Sequence, residues 1–441
     1  MKIAIIGGGV SGLSLAYHLE SQKIDFVLFE KEKQLGGNAH TRKTVHNGRE
    51  KFVDLAVNDF NPMTYRRLLH LLEKTGSGTG RVNAQTTFFA SDGFLSRESE
   101  LKNGELGAEI RRFQYEACEV LHDRQYRRYS VKEYFEEKGY SDRFLQQYLY
   151  PRIQGLFFYP PGGVSALPVQ FVMNFYALQG GYKQGSAPAA VRFNFKGGAG
   201  AWIANLARQI PARKISAGAI PQIRRSERGF RVANGRLDIQ VDKVVFACHA
   251  DDLCKGYAHL LSTRQLTVLS KVKYARMLSV AHCDASYLPL ATEEVSAYNC
   301  HVKAPGDPGA EYTITYNCNE HQNQSGEGQN LADARDLFFV TVNPTRPIEE
   351  RYLLRDEHGR PLVKEFSRNL CDFELLQAQQ ELPLLQGQNG LYFTGGYTNG
   401  IGLHENCLKQ SEEIAEVLGR LAQQAAAVRS EFVVANHHSA A

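Results

Sequence analysis

Residues 1–33, MKIAIIGGGVSGLSLAYHLESQKIDFVLFEKEK, divide into three pieces with different periods. Lys2–Ile6 is a short apolar run rich in β-branched residues. Residues 11–21 place Leu13, Ala16, Tyr17 and Glu20 at helical spacing, and Asp25–Glu30 is again strand-like. Together they predict a βαβ unit. Between the first strand and the helix stands Gly7-Gly8-Gly9-Val10-Ser11-Gly12, which fits GxGxxG at Gly7, Gly9 and Gly12, and Glu30 ends the next strand. In that context the pattern has a mechanism. Gly7 permits the tight turn, Gly9 lets the backbone approach a pyrophosphate, and Gly12 lets the helix pack on the strand. The helix start, with Val10 and Ser11, offers N–H groups and positive dipole to phosphate, while Glu30 accepts from ribose hydroxyls and disfavours a 2′-phosphate.

The pattern continues outward from this unit. Six residues past Glu30 and its neighbour Lys31 comes a second glycine pair, Gly36-Gly37, followed by Asn38. Residues 61–76 carry helix punctuation, with Asn61 as N-cap, Pro62 in the first turn and Gly76 as the stop. Residues 77–105 read as loops and short strands at the edge of the first domain. Ser130 to Glu133 form a capping box for a helix ending at Gly139, and Ser141 caps a further helix expected to break before Pro151. FKGGAGAWIANLARQI is a glycine turn into a helix. Turn signals at Glu227–Gly229 and Asn234-Gly235 separate strands, and 270–345 is strand-rich, notably Met277–His282, Tyr312–Tyr316 and Leu337–Val342. The last block is a strand (Leu391–Thr394), a glycine-rich turn, and a helix from His404; beyond 424 no signal stands out.

The 441 residues, 43% hydrophobic and 22% charged, suffice for several domains with large cores. A net charge of +4 is too small to argue for a nucleic-acid partner. No run reaches the roughly 20 apolar residues of a membrane span, and the first strand leaves no room for a cleavable leader, so a cytoplasmic protein without an integral membrane segment is expected. The eight cysteines are scattered without a CxxC pair or metal-like spacing. Reduced thiols and no metal follow.

These motifs resemble the flavin amine oxidase superfamily, which also holds protoporphyrinogen oxidases and phytoene desaturases. The resemblance is closest to a branch of predicted NAD/FAD-binding proteins linked to cyclopropane-fatty-acid synthases. It is carried by residues 1–20, LFEKEKQLGGNAHT, VDLAVNDFNPMTYRRLLHLLEKTG, FLQQYLYPRI, VDKVVFACHADD, FFVTVNP and LYFTGGYTNGIGLHENCLKQSEEIAEVLG. It implies an α/β fold with a Rossmann-like FAD-binding domain, its sheet mostly parallel, and an inserted α+β substrate domain, amine-oxidase-like. The expected segments are 1–85, 191–258 and 376–425 for the FAD domain, 86–190 (helical) and 259–375 (strand-rich) for the substrate domain, and a tail at 426–441.

The resemblance also implies non-covalent FAD. Gly7, Gly9, Val10, Ser11, Gly12, Glu30, Lys31, Gly36, Gly37 and Asn38 would hold its ADP half, with Ile220, in the strand before Gln222, as a backbone contact to adenine. Gly395 and Gly396 would approach the pyrophosphate, and Leu403, His404 and Glu405 would start a helix against the flavin. The chain departs from the amine oxidases at Asn38, where an arginine is usual, and at His404-Glu405-Asn406-Cys407, where Met-Glu-Gly-Ala is usual. It lacks, near Arg276–Met277, the lysine that positions a water near flavin N5 in amine oxidases, with Lys271 and Lys273 falling several residues early. His404, Tyr316 and Asn319 are the catalytic candidates. His249 is a weaker substrate contact, His282 and Asp284 are read as a surface pair, Cys407 as buried, and Arg124–Arg128 as a solvated face. The expected activity is hydride movement between flavin N5 and a lipophilic small molecule, unsaturated or acyl-chain-bearing. Alternatives are an amine or amino-acid oxidase and a flavin-containing accessory protein that presents lipid to a partner enzyme. A homodimer stays open.

Overall fold

A computed structural model describes residues 1–56, 59–157, 163–180, 191–302, 313–322 and 337–438. The chain divides into two compact units, residues 1–37, 203–272 and 377–441 in the first and 38–202 and 273–376 in the second. This division moves 38–85 and 191–202 out of the expected nucleotide domain and adds 259–272 and the tail 426–441 to it.

The first unit is built on a five-stranded parallel sheet in the order 215–217, 25–30, 2–6, 243–246, 391–393. Ile3 lies opposite both Phe26 and Lys243, and Val244 opposite Leu391. The strand interiors are largely apolar because parallel sheets are covered on both faces; Ile3, Ile5, Phe26, Leu28, Val245 and Phe393 have no exposure. Strand order reverses at the central strand Lys2–Ile6, so the crevice at its C-terminal end is the expected ligand position, and Gly7 follows there. The helices Val10–Ser21 and His404–His438 pack together, and the Ser411 hydroxyl donates to Ser11 O at 2.9 Å. The segment beyond 424, unassigned from sequence, continues this helix to His438. Three antiparallel strands, Gln222–Ser226, Gly229–Ala233 and Asp238–Val241, complete the unit, their turns where the sequence predicts them.

The second unit holds a seven-stranded sheet in the order 363–369, 274–282, 339–342, 314–317, 298–301, 86–90, 93–97. Part of 77–105, read as a domain edge, therefore supplies two strands to this sheet. Tyr312 lies outside the described residues, so its pairing with Tyr316 on one face is not described. Two helix boundaries depart from sequence expectation. Helix Arg66–Lys74 begins after Asn61, whose Oδ1 instead accepts Met63 N–H at 2.9 Å in a turn. The helix that Ser141 caps does not break at Pro151. A π turn at Leu145–Leu149, in which Tyr150 N–H donates to Leu145 O five residues back, precedes Tyr150–Phe157 and accommodates the proline's missing donor. The capping box at Ser130 is present, with Glu133 N–H to Ser130 Oγ at 3.2 Å. Among the described residues, no helix is long and apolar enough to cross a membrane.

Candidate functional site

At the end of the central strand Gly7 adopts φ +116°, and a Cβ there would lie 2.5 Å from Ala247 O. Gly12 is tighter still: its Cβ would lie 1.9 Å from Gly7 O. Both positions are glycine because backbone occupies the space. Gly9 differs. It is the N-cap of Val10–Ser21 with ordinary extended dihedrals (φ −75°, ψ −174°), and a Cβ would meet only Gly37 Cα, at 4.0 Å. Gly36 N–H donates to Gly8 O at 2.9 Å, so the two glycine pairs form a side-chain-free ribbon. No side chain caps the helix and no acid sits in its first turn. Its leading N–H groups and dipole face a position that suits an anion.

Glu30 is 8% exposed; its Oε2 accepts Gly8 N–H at 2.6 Å and its Oε1 accepts Glu32 N–H at 2.9 Å. Each oxygen keeps acceptor capacity for a ribose hydroxyl. Lys31 pairs with Asp252 at 3.0 Å, and this hydrogen bond raises its ammonium above its ordinary value. Ile220 is not in a strand as expected. It lies in the loop between Ile215–Ala217 and Gln222–Ser226 and is 66% exposed. Asn38 belongs to the second unit, where its amide donates to Ser367 O at 3.4 Å.

The C-terminal part of the first unit presents a second glycine turn. Gly395 has φ +144°, and a Cβ at Gly402 would lie 2.6 Å from Gly396 O. Gln379 Nε2 pins this loop by donating to Tyr397 O and Gly400 O at 3.1 and 2.8 Å. Leu403 leads the final helix, its N–H donating to Asn406 Oδ1 at 3.3 Å. His404 and Glu405 follow, both buried; burial pushes the His404 imidazole down to about 4, so it is neutral at pH 7. Cys407 is buried with its thiol turned to Gly402 O.

In the second unit Tyr316 stands beside a cluster the sequence reading missed. Asp59 Oδ2 accepts from Tyr298 OH at 2.6 Å and from His321 Nε2 at 2.8 Å, and Arg192 faces Oδ1 at 3.6 Å. Burial opposes ionisation of Asp59, yet His321, Arg192 and Tyr298 hold its carboxyl below the usual range. Tyr316 packs on His321 with ring centroids 5.1 Å apart, and burial raises its phenol, which stays protonated. Asn319, the other candidate in this unit, is fully buried with Oδ1 accepting Phe338 N–H at 3.0 Å. Its amide oxygen thus holds the backbone at the start of strand Phe339–Val342. His282 and Asp284 are not a surface pair: they are 0% and 1% exposed, and Asp284 N–H donates to His282 Nδ1. His249 is the N-cap of Ala250–Tyr257, and burial lowers its imidazole. Arg124–Arg128 form a short 3-10 turn with exposed arginines.

A second buried carboxylate, Asp54, caps the glycine turn before Ala199–Arg208. It accepts Ala199 N–H at 2.9 and 3.1 Å and the Thr41 hydroxyl, and burial outweighs these to push its carboxyl up to about 7. An acid raised in the folded state takes up a proton on folding. Its contribution to stability is full below about pH 4 and lost as pH rises through about 7. The difference in unfolding free energy between wild type and Asp54→Asn should therefore fall by about 1.4 kcal/mol per pH unit between about pH 5 and 7. Parallel curves in denaturant titrations across that range would contradict the assignment.

Residues 5–75 match the NAD(P)-binding Rossmann-like domain. Amine oxidase [flavin-containing] B of Homo sapiens is 32% identical over 81 residues, 18% of this chain and 15% of that protein. Over most of the chain the likeness is structural. Cyclohexylamine oxidase from Brevibacterium oxydans IH-35A is similar with TM-score 0.65 and 13% identity, over 96% of this chain and 99% of that one. A CLA-producing fatty acid isomerase from P. acnes gives TM-score 0.65 and 14% identity, over 94% and 98%. The chain thus carries a Rossmann-like nucleotide-binding domain. Its fold is shared with these two solved structures.

Proposed function

We propose that the protein is a FAD-dependent oxidoreductase that moves hydride to or from a lipophilic small molecule. The observation that carries this is the uncapped start of helix Val10–Ser21 against the side-chain-free ribbon of Gly8, Gly9, Gly36 and Gly37, with Glu30 beside it. Those residues fit the ADP half of FAD, non-covalently held. Gly395, Gly396 and the helix led by Leu403 and His404 suit its flavin half, since a helix start favours negative charge on a reduced ring by about 0.3–1 kcal/mol. Bound flavin supplies the hydride chemistry. The chain's own part is to bind and orient, and to present His404 as a neutral imidazole at that helix start.

An apolar substrate is favoured over an amine by the lysines. Lys271 pairs with Glu381 at 2.6 Å and Lys273 with Glu374 at 2.8 Å, so neither stands as the water-positioning lysine of amine oxidases. The fold likeness to a fatty acid isomerase supports an acyl chain and allows a redox-neutral shift of a double bond.

The test is anaerobic mixing of the purified protein with fatty acids, isoprenoids and amines while the oxidised-flavin band near about 450 nm is followed. Bleaching by an acyl-chain compound, or its isomerisation without bleaching, is expected. Bleaching by amines alone would overturn the substrate class, and a colourless protein that refuses added FAD would overturn the whole reading.

A further inference from the structure

Asp59, His321 and Tyr298 come from three separate segments of the second unit and meet in its interior. His321 has no exposed surface. Its Nε2 is 2.8 Å from Asp59 Oδ2, and a carboxylate can only accept, so the proton sits on Nε2. In the neutral imidazole with its proton on Nε2, Nδ1 carries a lone pair. That nitrogen is buried and, among the described residues, has no hydrogen-bond partner. Leaving such an acceptor unsatisfied costs about 1–3 kcal/mol, which makes it a place for a donor from outside the chain. The residue is held in place from several sides. Asn194 Nδ2 donates to His321 O at 3.2 Å, and Tyr298 and Tyr316 flank the imidazole with centroids 5.0 and 5.1 Å away. Both tyrosines keep some exposed surface, whereas the imidazole between them has none.

We propose that His321 Nδ1, positioned by Asp59 and flanked by Tyr298 and Tyr316, is a polar-group subsite that accepts a hydrogen bond from a hydroxyl or amine N–H/O–H of the bound ligand. The donor requirement stands on the geometry of this cluster; the aliphatic body of that ligand rests on the function proposed above. The subsite would select among chains of equal length by their polar end. Nothing in it calls for a charged ligand, because Asp59 and Arg192 already cancel.

The experiment compares 1-octanol with its methyl ether by titration calorimetry on the protein as purified, with flavin content recorded. The two probes share the octyl chain, and the ether replaces the hydroxyl proton with a methyl group and so removes the donor. Wild type is expected to bind the alcohol at least about tenfold more tightly. His321→Gln keeps an amide N–H for Asp59 and removes the Nδ1 acceptor, so it should bind both probes alike with unchanged flavin content. A wild type that treats the probes alike, or a variant that keeps the preference, overturns the proposal, as does an Nδ1 filled only by a trapped water, which gives no preference. Should His321→Gln fail to fold, ¹⁵N-histidine spectra of wild type decide. One unprotonated Nδ1 should shift with 1-octanol and not with the ether; no responding nitrogen counts against the subsite. 1-Octylamine distinguishes the two donor types, its preference over the ether placing an amine in the subsite. A colourless protein that prefers the alcohol sinks the flavin reading alone, and a yellow one without preference sinks this subsite alone.

Discussion

Gly9→Ala is expected to give a folded protein that no longer retains FAD. The added methyl meets nothing of the protein nearer than Gly37 Cα at 4.0 Å, and Gly9 already has dihedrals any residue adopts. Stability should stay within about 0.5 kcal/mol of wild type. The same methyl fills the space through which a pyrophosphate reaches the helix start, so FAD affinity should drop on the order of a hundredfold, equivalent to about 2.7 kcal/mol. Gly12→Ala should behave oppositely. Its methyl would overlap Gly7 O at 1.9 Å and press on Ala247 Cβ at 3.3 Å, and neither backbone can yield without parting helix from strand. A loss of about 3 kcal/mol or more is expected, a fall in Tm of roughly 6–12 °C. Tm and flavin content measured side by side separate the two. If Gly9→Ala keeps its flavin, or Gly12→Ala melts with wild type, the cradle is wrongly placed.

The contrast shows what was legible in the sequence. GxGxxG, the strand before it, the helix after it and Glu30 are close in the chain, and each carries a local steric or electrostatic reason that survives without tertiary context. The hairpin turns and the start of the His404 helix are readable for the same reason. The misreadings come where a long-range contact decides. Asn61 has the chemistry of a helix cap, yet its amide donates to Gln179 O across the fold and its Oδ1 closes a turn, so the helix starts later. Pro151 should stop a helix, but a π turn absorbs its missing donor. The Asp59 cluster gives no signal at all in sequence. His321 lies within a stretch that points to Tyr316 and Asn319, and only tertiary packing brings Asp59 and Arg192 to it.

Asp59→Ala is the replacement expected to cost the second unit most. It strips Arg192 of its counterion and leaves Tyr298 OH and His321 Nε2 without an acceptor, all in a buried setting. Removing one partner of such a pair costs about 3–5 kcal/mol. Arg192→Met should cost less, because Asp59 keeps both hydrogen-bond donors, and the double variant should show coupling of about 1–3 kcal/mol. The pH dependence has a definite sign. Asp59 is held below its ordinary value when folded, so its stabilisation is present above about pH 4 and disappears as pH falls through the lower folded value. The Asp59→Ala penalty should therefore be full at pH 7 and shrink as the medium is acidified below about pH 4. Asp54 must do the reverse, although it is as deeply buried, because it faces a hydroxyl and an amide where Asp59 faces a guanidinium. Denaturant titrations of both variants over one pH series test the pair together. Penalties that move in the same direction would show that burial alone, and not the partner's charge, sets these two carboxylates.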